Sequence, residues 1–268
     1  MTSGLFYVGF EGNQVSVQSN NRDILLKAKV VFGSLVEETE TNVIGAVSIQ
    51  ESAGGFSLRE NQETRDLECP LNDVVYALKV SAINMLMDVR ADLLWVHAGA
   101  VTRQAGAVLF PGSYGRGKST LATSLCARGW QYLSDDLAPI DLVAERVYPF
   151  PQAPRLREHQ GKELPRESLN ELTKNEVLLD PGVIGKRSAK IRALIFPEFS
   201  LNGATELVVY SKSMAVLGLI QNAVNFNVHN SETVTRLCGL VEKLPTYSLP
   251  FSDAKKACDL IDDILKAD

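Results

Sequence analysis

Eight consecutive residues, Gly112-Ser113-Tyr114-Gly115-Arg116-Gly117-Lys118-Ser119, constrain this chain more than any other stretch. They fit G-x-x-x-x-G-K-[ST], a pattern that works only between a strand and a helix. Both neighbours are legible. Gly106-Ala-Val-Leu-Phe110 is a short apolar run that ends at Pro111, and a helix is expected from about Lys118 to Arg128. Gly129 closes it, in the position just past a helix where glycine is favoured. Each residue has a chemical reason. Glycines let successive backbone N–H groups converge on a phosphate, the lysine reaches terminal phosphates, and the serine hydroxyl can ligate Mg²⁺. The helix adds its positive end to the same anion. Gly112 through Ser119, with Thr120 beside them, are therefore the expected nucleotide-binding residues.

A second constellation follows. Trp130–Leu133 reads as a strand that runs into Ser134-Asp135-Asp136. From Lys118 to Asp135 is 135 − 118 = 17 residues, room for one helix and one adjacent strand. Both carboxylates should then arrive beside the phosphates. One can hold Mg²⁺ and the other can accept a proton from a nucleophile. His97 ends the apolar run Leu93-Leu-Trp-Val96, and 118 − 97 = 21 residues separate it from Lys118. A strand, turn and strand of that length put His97 on the neighbouring strand, where an imidazole can bond a carboxylate or a phosphate oxygen and titrates near neutrality. His159 and His229 have no such neighbours and are given no role.

Taken together, V-H-A-G-A-V, a strand, G-x-x-x-x-G-K-S-T and Y-L-S-D-D resemble the catalytic domain of the HPr kinase/phosphorylase family. The chain resembles still more the shorter HPr-kinase-related proteins of bacterial gene clusters. The resemblance covers about residues 90–200 well and Ser248–Leu265 more loosely. It implies an α/β fold built on a mixed sheet, with the P-loop core shared with the ATP-dependent phosphoenolpyruvate carboxykinases. It also implies that Lys118 binds the β- and γ-phosphates and Ser119 the Mg²⁺. Asp135 would be the general base acting on an acceptor serine, Asp136 would sit on the metal, and His97 would lie near the transferring group. Which aspartate takes which role stays open. By the same resemblance Lys190, or Arg192, falls where the family carries an essential arginine; Arg155 is another candidate for the cation that meets the transition-state charge. One departure matters. The family signature E-[IV]-R-G-[LM]-G-I, tied to phosphorylase activity, is absent, and Gln160–Asn170 read QGKELPRESLN in its place. Kinase activity without phosphorolytic reversal is the expectation.

Composition sets the frame. The chain has 268 residues, 27 basic and 32 acidic, hence a net charge of −5. That balance argues against a dedicated nucleic-acid binder. Residues 151–192 nevertheless hold nine Lys/Arg against six Asp/Glu, a local +3 that allows an acidic protein or peptide as phosphate acceptor. The four cysteines, Cys69, Cys126, Cys238 and Cys258, form no C-x-x-C pair, so reduced thiols in a cytoplasmic protein are expected. The longest uncharged stretch, Ser213–Ser231, contains four asparagines, a glutamine and a histidine; neither it nor the N-terminus reads as a membrane span or signal peptide.

Residues 1–68 alternate apolar and polar positions between Gly and Asn and are expected to form a small β-rich unit, with residues 69–268 as the catalytic domain. Leu71–Val89 is expected to be a helix capped by Asn72. Three functions fit: an ATP-dependent kinase acting on a serine of a small protein or peptide, a small-molecule kinase on the same core, and a non-catalytic ATP-sensing module. Homo-oligomerisation is common in the parent family, but the motif that would support it is missing here.

Overall fold

The computed structural model describes residues 4–104, 106–157 and 174–264, and the chain divides into two compact units, Met1–Ala91 and Asp92–Asp268. The QGKELPRESLN stretch lies outside the described residues.

The first unit is a sheet backed by two helices. Its strands are β1 (Gly4–Phe10), β2 (Asn13–Ser19), β3 (Val36–Glu37), β4 (Val43–Ser52), β5 (Gly55–Glu60) and β6 (Glu63–Leu67), in the order β3-β1-β2-β4-β5-β6. The turn between β1 and β2 is Glu11-Gly12, both at positive φ (49° and 79°), as a tight hairpin requires. β2 and β4 are parallel, and helix α1 (Arg22–Phe32) supplies the crossover. Asn21 starts α1 by accepting from the backbone N–H groups of Asp23 and Ile24.

Helix α2 (Leu71–Val89) has the expected extent but a different cap: Pro70 holds the cap position, and the Asn72 side chain instead accepts from Lys27 Nζ at 3.2 Å. The buried residues of α2 (Val74, Val75, Leu78, Ala82, Ile83 and Leu86) pack it on β2, β4, β5 and α1. That apolar face is why the contacts divide the chain after Ala91, and not between residues 68 and 69.

The second unit is a mixed α/β layer structure. Strands β7 (Leu94–Val96), β8 (Ala98–Arg103), β9 (Gly106–Pro111), β10 (Gln131–Ser134), β11 (Ala138–Asp141), β12 (Arg146–Val147) and β15 (Ala189–Phe199) follow the order β10-β8-β9-β15-β12-β11-β7. β13 (Arg155–Arg157) and β14 (Lys174–Glu176) form a separate two-stranded antiparallel ladder. β16 (Val208–Val209) pairs with β17 (Thr246–Phe251), which runs parallel to β15. Helices α4 (Lys212–Asn222) and α5 (Ser231–Lys243) cover one face, burying Leu219, Leu237 and Leu240 against Leu109 and Ile191. Helices α3 (Lys118–Cys126) and α6 (Ala254–Ile264) cover the other, where Leu121, Leu125 and Ile261 meet Val108 and Phe110. Alternate residues of β9 thus feed opposite cores, which is why its run reads as continuously apolar.

The strand order brings its own ends together. β7, last in the order, passes into β8, second in the order, through His97 alone; β10 and β11 are joined in the same way through Asp135-Asp136-Leu137. The register places the two junctions opposite each other, because Val96 pairs with Ala138 and Ala100 with Ser134. Among the described residues no helix is long and apolar enough to cross a membrane. All four cysteines are free thiols.

Candidate functional site

The glycine-rich loop leaves the end of β9 and enters α3, the setting its pattern demands. Gly115 and Gly117 take φ of +83° and +89°, values that L side chains rarely adopt. Gly117 is required twice over, since a Cβ there would stand 2.4 Å from Phe251 Cζ. The loop is pinned at both ends. Gly112 N–H donates to the His97 carbonyl at 3.2 Å, and Phe199 N–H donates to the Arg116 carbonyl at 3.2 Å. The Arg116 guanidinium pairs with Glu198, and Phe199 and Phe251 meet edge to face under the loop (centroids 5.4 Å apart). Lys118 is buried, and its Nζ donates to the carbonyls of Gly112 (2.7 Å) and Ser113 (3.0 Å). The ammonium therefore lies across the mouth of the loop. Ser113, Tyr114 and Thr120 are exposed, while Gly112, Gly115, Arg116, Gly117 and Ser119 are half-buried.

The two aspartates meet different surroundings. Asp135 is only 6% exposed. Burial pushes its carboxyl above the usual carboxylate range, against the pull of a hydrogen bond from the Ser119 side chain, the Lys118 charge and a hydrogen bond from the Arg155 backbone. Its Oδ1 is buried with no hydrogen-bond partner. A buried carboxylate oxygen without a donor is costly, and beside a hydroxyl it makes the hard-oxygen donor set that Mg²⁺ takes, leaving other positions to water and phosphate oxygens. Ser119 and Asp135 therefore fit the metal. Asp136 is half-exposed (51%), and its Oδ1 lies 3.2 Å from His97 Nε2. His97 is held through its backbone, N–H to the Asn222 carbonyl at 2.7 Å and C=O to Gly112 N–H.

Of the expected residues, the structure brings together Gly112 to Thr120, His97, Asp135 and Asp136. It does not bring Lys190 or Arg192 to them. β15 is parallel to β9 with Lys190 opposite Gly106, so Lys190 sits at the start of the strand whose far end carries the loop. The intervening five residues span about 16 Å at ~3.3 Å each. The assignment of Lys190 as the transition-state cation is therefore corrected: parallel register puts it at the opposite end of the sheet. Arg155 is the candidate that lies at the site, its backbone against Asp135 and its Nε paired with Glu176 at 3.1 Å.

Sequence reasoning missed several supports. Asn225 Oδ1 accepts from Trp95 N–H at 2.9 Å and its Nδ2 donates to the Leu93 carbonyl at 2.9 Å, which clamps the strand leading into His97. The run of asparagines after α4 was the available signal. Gln152 is 1% exposed with neither side-chain amide atom partnered, while its backbone carbonyl accepts from the Tyr132 hydroxyl at 2.9 Å. Glu198, at the end of β15, carries no pattern that links it to the loop.

No family model and no curated protein matches the chain. Among solved structures it is similar to the HPr(Ser) kinase/phosphatase from Coxiella burnetii, at 14% sequence identity over 65% of this chain and 88% of that one, with a TM-score of 0.34. At that score the likeness carries no argument.

Proposed function

We propose that the chain is an ATP-dependent kinase that transfers the γ-phosphate to a serine hydroxyl of a small protein or peptide. The observation that carries this reading is the split pair of carboxylates beside the phosphate loop: Asp135 buried against Ser119 with an unpartnered oxygen, Asp136 half-exposed and bonded to His97. A site built only to hold a nucleotide needs the first; the second suits a proton acceptor on the solvent side.

In this reading Ser119 and Asp135 hold Mg²⁺, which when bound neutralises charge on the β- and γ-phosphates. Lys118 turns from the Gly112 and Ser113 carbonyls to the phosphate oxygens, and the loop N–H groups with the α3 terminus hold the rest. Asp136 takes the proton from the acceptor hydroxyl as its oxygen attacks the γ-phosphorus and the β–γ bridging oxygen leaves with ADP, and His97 orients that carboxylate. These roles reverse the ones that the resemblance suggested for the two aspartates. Arg155, whose backbone on β13 meets Asp135, is the cation for the transferring group once its guanidinium leaves Glu176.

The test is incubation with γ-labelled ATP, Mg²⁺ and candidate acceptor proteins, with phosphoserine located by mass spectrometry. Label on a protein serine, lost in Asp136→Asn, is expected. Tight ATP binding with no transfer to any acceptor would point to the sensing module, and label on a metabolite to a small-molecule kinase.

A further inference from the structure

The cations that do not reach the phosphate loop gather at the other end of the sheet. On β15 Ala189 and Ile191 are buried in one core while Lys190 and Arg192 are exposed; Lys190 is the register partner of Gly106 and Arg192 packs over the same glycine, so the two cations meet at one place. Arg192 lies along β9, where a Cβ on Gly106 would come within 2.7 Å of its Cγ. Lys186 and Arg187, both exposed, lead directly into the strand. Arg146, the register partner of Lys190 on β12, spends its guanidinium on the hydroxyl and carbonyl of Ser188, both neutral.

The neighbouring acids are already engaged. Glu145 pairs with Lys243 and feels the Lys190 charge only from beyond ion-pair distance, and Asp262 accepts from Arg103, Arg128 and Trp130. Elsewhere in this unit Arg116, Arg155 and Arg236 each meet a carboxylate. Among the described residues Lys186, Arg187, Lys190 and Arg192 meet none within ion-pair distance, in a chain whose net charge is −5.

We propose that this face is a docking surface for an acidic segment of a partner protein. A few unpaired cations on a short rim match a few carboxylates. They match a nucleic acid or an anionic membrane poorly, since either presents charge over a long front that the acidic remainder of the chain would oppose. At physiological salt the patch acts over about 8 Å, so its reach is local. The proposal concerns binding at the end of the sheet away from the loop and does not rest on the kinase reading.

The test is fluorescence anisotropy of a labelled oligoglutamate peptide with the full chain. Wild-type binding should weaken several-fold as NaCl rises from about 50 to about 200 mM. Lys186→Ala/Arg187→Ala/Lys190→Ala/Arg192→Ala should bind at least about tenfold more weakly, and the Lys190→Ala/Arg192→Ala pair should show an intermediate loss with an unchanged melting curve. Lys118→Ala should bind as wild type. Equal binding by the surface variants, loss on Lys118→Ala, or tighter binding of a short DNA duplex or phosphatidylserine vesicles would overturn the proposal.

Discussion

Asp135 and Asp136 are chemically identical neighbours, and the fold alone makes them different. Asp135 follows the last residue of β10 into the core beside Ser119, whereas Asp136 turns outward to His97. The raised carboxyl of Asp135 has a consequence for stability. Because its folded value lies above the unfolded one, the contribution is fully favourable below the unfolded value and is lost as pH rises through the folded one. Asp135→Asn should therefore melt at a higher temperature than wild type at neutral pH. The gap should close on acidification, as thermal scans across pH would show, and ATP binding in the variant should no longer depend on Mg²⁺. Asp136→Asn should instead leave ATP affinity within about twofold while lowering turnover about 10²- to 10⁴-fold, the usual worth of a general base, measured by steady-state phosphate transfer. A merely structural Asp136 would move both quantities together.

At the scale of elements, the phosphate loop is rigid because three strands end under it. Gly117 occupies φ +89° above the fully buried ring of Phe251. Gly117→Ala should cost about 2 kcal/mol or more in denaturant unfolding and abolish measurable ATP binding, since neither the backbone nor the packed ring can yield. Breaking the clamp on the His97 strand with Asn225→Ala leaves two backbone groups short of a partner and should cost about 2 kcal/mol in the same assay. The elements around the loop were legible in sequence because local signals agree there: an apolar run, glycines, a helix and a closing Gly129. Other elements were not, for physical reasons. β11 contains Pro139, which reads as a strand breaker, yet it is tolerated because the proline carbonyl still accepts, from Tyr148 N–H at 2.9 Å. α5 begins at Ser231, ahead of its apolar stripe, because Asn230 caps it through Glu232 and Thr233 N–H. The misplaced Lys190 shows the deeper limit: whether a strand's first or last residue faces a site depends on parallel or antiparallel register, which no local pattern encodes.

At the scale of the whole molecule, every residue assigned to the site lies within Asp92–Asp268, which carries its own two cores. A chain beginning at Asp92 is therefore expected to bind ATP with an affinity within a few-fold of the full chain, as titration calorimetry would show; loss of binding would give the first unit a part in the site. The net charge of −5 likewise resolves by place, with cations that meet no carboxylate among the described residues at one end of the second sheet and the carboxylate pair at the other. The central claim is the division of labour between those carboxylates beside a nucleotide-binding loop. Its most direct test is equilibrium ATP binding with and without Mg²⁺ for wild type, Asp135→Asn and Asp136→Asn. The account predicts that Mg²⁺ tightens binding at least about tenfold in wild type and Asp136→Asn and has no effect in Asp135→Asn. A Mg²⁺ effect kept in Asp135→Asn, or lost in Asp136→Asn alone, would contradict it.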